Sequence, residues 1–83
     1  MAATKEDIRS WLKRGKESGA THMIVVCDTY DHEDYPVYVM PDENVRTKSE
    51  QFNGKNMQVI MEVYSYKHDL EMQMSERRAF HWD

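Results

Sequence analysis

At 83 residues, with a net charge of −4 and a pI near 5.5, the chain makes one domain and suits no general binder of phosphate backbones. Its single cysteine, Cys27, excludes an internal disulfide, and one Cys with four scattered histidines (His22, His32, His68, His81) supplies no ligand pair of a known zinc site. No apolar run approaches the roughly 20 residues that a membrane helix needs, and MAATKEDIRSW lacks the apolar stretch of a signal peptide, so a cytosolic location is expected.

Thr4 to Gly19 reads as the first helix. Thr4 suits the N-cap with Asp7 three positions on, Ile8, Trp11 and Leu12 share a face, and Lys13, Arg14 and Lys16 crowd the last turn before Gly19. His22 to Tyr30 follows as a strand whose Ile24-Val25-Val26 centre is apolar on both faces. Asp31 to Asp34 breaks the run, and Tyr35 to Met40 alternates again, so the two strands form an antiparallel hairpin with Pro36 at a strand start or an edge. Asp42 to Phe52 is either a short helix capped by Asp42 or a loop, and Asn53-Gly54 is a turn. Asn56 to about Glu76, free of Gly and Pro, reads as a long helix. The expected fold class is therefore α+β: N-terminal helix, antiparallel β-hairpin, short helix or loop, long C-terminal helix. It is one domain over 1–83, with an ordered core at about 4–76 and a tail at 77–83.

That long helix would carry two apolar stripes, Met57-Ile60-Met61-Tyr64 and Val59-Val63-Tyr66-Leu70-Met74, which need cover on two sides. About 20 helical residues span roughly 30 Å, whereas a strand of five or six covers only about 17–20 Å. The overhang and the hairpin's open edges together predict self-association as a homodimer or larger species. A core of this size supplies only about 3–5 kcal/mol of net stability, which points the same way.

Several residue groups carry candidate chemistry. Asp28, Asp31, His32, Glu33 and Asp34 could gather a hard cation, but their spacing matches no calcium loop and the turn glycine is missing, so a solvated acidic loop is the plainer reading. Cys27 alternates away from His22 and Asp28 along the strand, which makes it a small buried hydrophobe rather than a nucleophile beside a base. With only Gly15, Gly19 and Gly54, no glycine-built phosphate loop is available, and no catalytic motif appears, so enzymatic activity is not expected. Arg9, Lys13 and Lys16 form a basic stripe one helical turn apart, and with Trp11 nearby such a stripe can hold a phosphate while an aromatic stacks on a base. Tyr30, Tyr35 and Tyr38 border the strand–loop region and suit either contacts or sheet packing. In the tail, Phe80 and Trp82 are too apolar for a solvated end. They either fold back or dock on a neighbour, with Arg77 and Arg78 meeting an anion or an acidic partner.

The block GATHMIVVCDTYDHEDYPVYVMP, followed by NGKNM and the expected long helix, resembles small accessory proteins encoded by tailed bacteriophages, over roughly residues 5 to 75. The resemblance brings no catalytic set. It implies a host-cell cytoplasmic setting and a binding role, blocking a host factor or sequestering a small signalling nucleotide of host defence, the latter commonly by oligomers.

The expected function is thus a non-enzymatic homo-oligomer that sequesters an anionic nucleotide-like ligand to counter host defence. Arg9, Lys13, Arg77 and Arg78 would contact phosphate, and Trp11, Tyr30 or Tyr38 would stack. The alternative is a protein–protein inhibitor or adaptor that meets a basic host protein through Asp31, His32, Glu33 and Asp34 and the tail. Neither version needs a metal, a cofactor or a membrane.

Overall fold

The computed structural model describes residues 3–54 and 57–83. In chain order the elements are α1 (Lys5–Ser18), β1 (His22–Asp28), β2 (Glu33–Val39), α2 (Val45–Glu50), β3 (Gln58–Ser65) and α3 (Leu70–Ser75). The architecture is α+β, with β1 at the centre of a three-stranded antiparallel sheet ordered β2-β1-β3. Among the described residues, no helix is long and apolar enough to cross a membrane.

Local chemistry explains the helix ends. Thr4 and Asp7 cap α1 reciprocally, each side chain accepting from the other's backbone N–H at 3.1 Å. Gly19 closes α1 with φ 85°, a left-handed conformation open to glycine without a Cβ penalty. The segment left open between 42 and 52 contains a helix of six residues, capped by Asn44 rather than Asp42, with the Asn44 side chain accepting from Thr47 N at 3.0 Å.

The sheet is covered on both sides. On one side Met23, Val25 and Tyr64 meet Ile8 and Leu12 of α1, Met74 of α3, and Ala79. On the other Ile24, Val26, Val39 and Val63 meet Val45 of α2, with Phe52 and Trp82 packed against them. This double burial is why the centre of β1 is an unbroken apolar run.

The long C-terminal helix is not formed. Its first expected residue, Asn56, lies outside the described residues, but 58–65 is strand β3 and only 70–75 is helical. A bulge explains the misleading pattern. In the β1–β3 register Val25 faces Glu62 and Val26 faces Ile60, so Met61 is the extra residue. That insertion sends Ile60 to one core and Met61 and Tyr64 to the other, and leaves an apolar spacing of three and four that mimics a helix. The β-branched Val59, Ile60 and Val63 suit a strand. Asp69 then caps α3, accepting from the N–H groups of Glu71 and Met72 at 2.9 and 3.2 Å. With no long helix there is no overhang, so that ground for self-association is gone.

Residues 79–83 return along the outer edge of β3 as a short strap. Val63 N donates to Ala79 O at 2.8 Å, His81 N donates to Val63 O at 3.0 Å, and Phe80 pairs with Val63 in a parallel bridge. Of the two fates expected for this apolar segment, folding back is the one adopted.

Candidate functional site

The strap alternates as a strand does. Ala79 and His81 turn toward α3, the first fully buried and the second bonded to Glu76 through Nε2 at 2.8 Å. Trp82, two residues beyond Phe80, packs on the opposite core. The Phe80 and Trp82 rings stack with centroids 6.5 Å apart and planes tilted by 20°. The Arg46 guanidinium, carried by α2, lies 4.8 Å from the Trp82 ring centroid, within cation–π range. Phe80 remains 45 % exposed, so the row Arg46–Trp82–Phe80 ends on an accessible aromatic. Arg77 and Arg78 stand three and two residues before Phe80, both exposed and in no ion pair among the described residues. Chemically, this arrangement can stack a planar ring and neutralise an anion beside it.

Between α3 and the strap lies a cleft of about 440 Å³, lined by His68, Asp69, Met72, Gln73, Glu76, His81 and Asp83. Its polar groups are already engaged. His68 Nε2 meets Asp83 Oδ2 at 2.8 Å, and the hydrogen bond from His68 holds the Asp83 carboxyl below its usual range. Glu76 holds His81, Asp69 caps α3, and the buried Gln73 side chain bonds Ser65 N and O, each at 2.8 Å. Carboxylates line it and its contacts are internal, so it fastens the strap and makes a poor anion receptor. A second cleft of about 440 Å³ shares His68 and Asp69 and runs to Lys16 and Tyr66.

At the far end of the sheet, the β1–β2 turn presents Tyr30, 78 % exposed, beside Met57, 57 % exposed. Thr29 joins the two loops, its N–H and its hydroxyl both donating to Met57 O at 2.7 and 2.8 Å. His32 and Met57 each adopt φ 60°, an uncommon conformation for a residue with a side chain, so both loops hold strained backbone.

The expected ligand residues do not converge. Arg9 is spent on Glu71, bonding both carboxylate oxygens at 3.0 and 3.3 Å, which raises the guanidinium's pKa and lowers that of the carboxyl. Trp11 is half-buried against the first core, and its carbonyl accepts from the Tyr38 hydroxyl at 2.7 Å. Burial pushes the Tyr38 hydroxyl's pKa up. Lys13 stays on the exposed face of α1, Tyr30 stands at the hairpin end, and Arg77 and Arg78 flank the strap. None of these residues lines either cleft. Of the acidic group, Asp31 accepts from Glu33 N at 3.0 Å and Asp34 accepts from Ala3 N at 3.0 Å, while Glu33 and His32 lie exposed at the turn. No group of three or more His, Cys, Asp or Glu among the described residues is arranged to hold a metal ion. Cys27 lies on the face opposite His22, and burial raises its thiol pKa, which makes a poor nucleophile.

Sequence reasoning missed Arg46, because α2 itself was left open, and it used Phe80 and Trp82 only as a sign that the tail is apolar. The spacing Arg-Arg-x-Phe-x-Trp was the available signal, since alternate residues of an extended segment share a side. Set against protein-family models, curated proteins and solved structures, the chain matches none of them.

Proposed function

We propose that the protein is a non-catalytic binding module that takes an anionic, nucleotide-like ligand on the row Arg46–Trp82–Phe80, with Arg77 and Arg78 contacting phosphate. The observation that carries this reading is the accessible Phe80 ring at the end of a cation–aromatic–aromatic row, two and three residues after two exposed arginines that make no ion pair among the described residues. A base stacked on such a ring contributes about 1–3 kcal/mol. Relative to the sequence expectation, the phosphate contacts move away from Arg9, whose pairing with Glu71 a ligand would first have to break. In the setting the bacteriophage resemblance implies, this module would sequester a signalling nucleotide of the host. Calorimetric titration with mononucleotides and cyclic dinucleotides tests the proposal. Binding should disappear in Arg77→Glu/Arg78→Glu and weaken in Phe80→Ala. Absence of both heat and thermal shift across that panel refutes it.

A second reading is favoured by the hairpin end, where Tyr30 and Met57 stand exposed among Asp28, Asp31 and Glu33. An aromatic anchor ringed by carboxylates suits a basic protein surface. Capture of such a partner should fall steeply with salt and vanish in Asp31→Asn/Glu33→Gln/Asp34→Asn. Undiminished capture by that variant excludes this reading.

A further inference from the structure

The cleft between α3 and the strap holds two histidines in the same arrangement. His68 Nε2 lies 2.8 Å from Asp83 Oδ2, and His81 Nε2 lies 2.8 and 3.1 Å from the two Glu76 carboxylate oxygens. An ionised carboxylate only accepts, so each Nε2 carries a proton and, in the neutral ring, each Nδ1 keeps the lone pair. Neither Nδ1 has a hydrogen-bond partner among the described residues. A metal-ligating histidine takes this form, one nitrogen donating to a carboxylate that orients the ring while the other binds the ion. The two rings line one cleft with their centroids 6.3 Å apart. Two imidazoles sharing an ion at about 2.0–2.1 Å from each nitrogen have ring centres about 5–6 Å apart, so a small rotation suffices. Met72 of α3 lines the same cleft and is 69 % exposed, a large apolar side chain left in water.

We propose that His68, His81 and Met72 form a binding site for a soft cation, Cu(I), with Asp83 and Glu76 orienting the two rings. The donors select the ion. Among the described residues no three of His, Cys, Asp or Glu are arranged around one point, so an ion that demands three or four nitrogen, oxygen or thiolate ligands finds no set. Two imidazoles and a thioether are a different set, and thioether sulfur favours Cu(I) while imidazole accepts copper readily. The carboxylates of Asp69, Glu76 and Asp83 give the cleft a field that draws a cation. The ligands come from three parts of the chain: His68 from the turn after β3, Met72 from α3 and His81 from the strap. A bound ion therefore ties the strap to α3. The ion arrives and leaves as Cu(I), with no change of oxidation state, and the site stands whether or not a nucleotide binds.

Anaerobic titration tests the site, with Cu(I) supplied as its ferrozine complex and transfer to the full chain read as loss of the complex's colour. One equivalent should transfer to the parent protein and equally to Cys27→Ala, because the half-buried thiol is not among the ligands. Transfer should be lost in His68→Ala/His81→Ala. Met72→Leu keeps the shape of an exposed side chain and removes its sulfur, and should weaken binding by about tenfold or more. Asp83→Ala, which frees the His68 ring, should weaken it about 10- to 100-fold. Cu(I) should also raise the hydrogen-exchange protection of the His81 amide, bonded to Val63 O, and leave the Thr29 amide at the other end of the sheet unchanged. No transfer from the complex overturns the proposal, as does transfer that vanishes in Cys27→Ala or persists undiminished in the double histidine variant. Should that variant not fold, Met72→Leu still decides, because binding as tight as the parent's there removes the thioether and with it the soft ion.

Discussion

Gly15 lies in the interior of α1, where replacing glycine by alanine ordinarily stabilises a helix by about 1 kcal/mol. The structure predicts the reverse. A Cβ at this position would stand 2.6 and 2.7 Å from two ring carbons of Tyr38 and closer still to the Tyr66 hydroxyl. The helix cannot simply retreat, because the Tyr38 and Tyr66 hydroxyls donate to the carbonyls of Trp11 and Leu12, both at 2.7 Å. Overpacking costs about 1–3 kcal/mol, and each strained or broken hydroxyl bond costs about 0.5–1.5 kcal/mol. Set against the helix gain, the net loss is about 1–5 kcal/mol, centred near 3. A core of this size supplies about 3–5 kcal/mol in total, so the urea midpoint of Gly15→Ala should collapse toward zero. Adding Tyr66→Phe removes the nearest clashing atom, and the cost of Gly15→Ala should be smaller in that background. A midpoint at or above that of the parent, or strict additivity of the two substitutions, refutes this account of the α1 contact.

Other outcomes follow from single groups. Gln73, 1 % exposed, bonds the N–H and C=O of fully buried Ser65 as a strand would, so Gln73→Ala should cost about 3 kcal/mol and lower Tm by about 12–24 °C in a thermal melt. Burial pushes the Tyr64 and Tyr66 hydroxyls well above the ordinary tyrosine value of 10, so the stability they contribute is complete below pH 10 and lost as pH rises beyond it. Melts between pH 8 and 11.5 should show Tm falling only in the upper part of that range, and less steeply in Tyr66→Phe. Arg9→Ala removes an exposed pair and should leave the urea midpoint unchanged within error. Modification of Cys27 by a thiol reagent at pH 7.5 should be slower than that of free cysteine, since burial raises its pKa.

Local signals carried the first half of the fold. The Thr4–Asp7 cap, Gly19, the alternation of 35–39 and the apolar centre of β1 are each settled within a few residues of chain, and each is formed. The second half failed for a physical reason as local as those successes. A strand buried on both faces has no polar alternation, and the bulge at Met61 shifted the remaining pattern onto a helical period. Two cues pointed the other way, the β-branched Val59, Ile60 and Val63 and the capping Asp69. Length outweighed them, because 20 residues without Gly or Pro favour one element over two.

The same error governs what could be read of a site. A long helix ending at 76 offers Phe80 and Trp82 no particular neighbour in the chain, so folding back and docking on a second copy stay equally open. Once β3 is a strand, its outer edge is the nearest row of unpaired backbone groups, and Ala79 and His81 pair with Val63 there. That pairing fixes which way Phe80 and Trp82 face and brings Trp82 beneath Arg46, a contact between distant parts of the chain that no local pattern encodes. The residues chosen from spacing on α1 were selected for charge, but charge on a helix face says nothing about whether an opposite charge stands across from it. Arg9 has Glu71, whereas Arg77 and Arg78 have no such partner among the described residues. The strap that satisfied the apolar surplus of the chain therefore also carries an exposed ring, two and three residues after two arginines that make no ion pair among the described residues. For that reason the proposed nucleotide binding and strap docking should be lost together in Trp82→Ala, even though Arg77 and Arg78 remain in place.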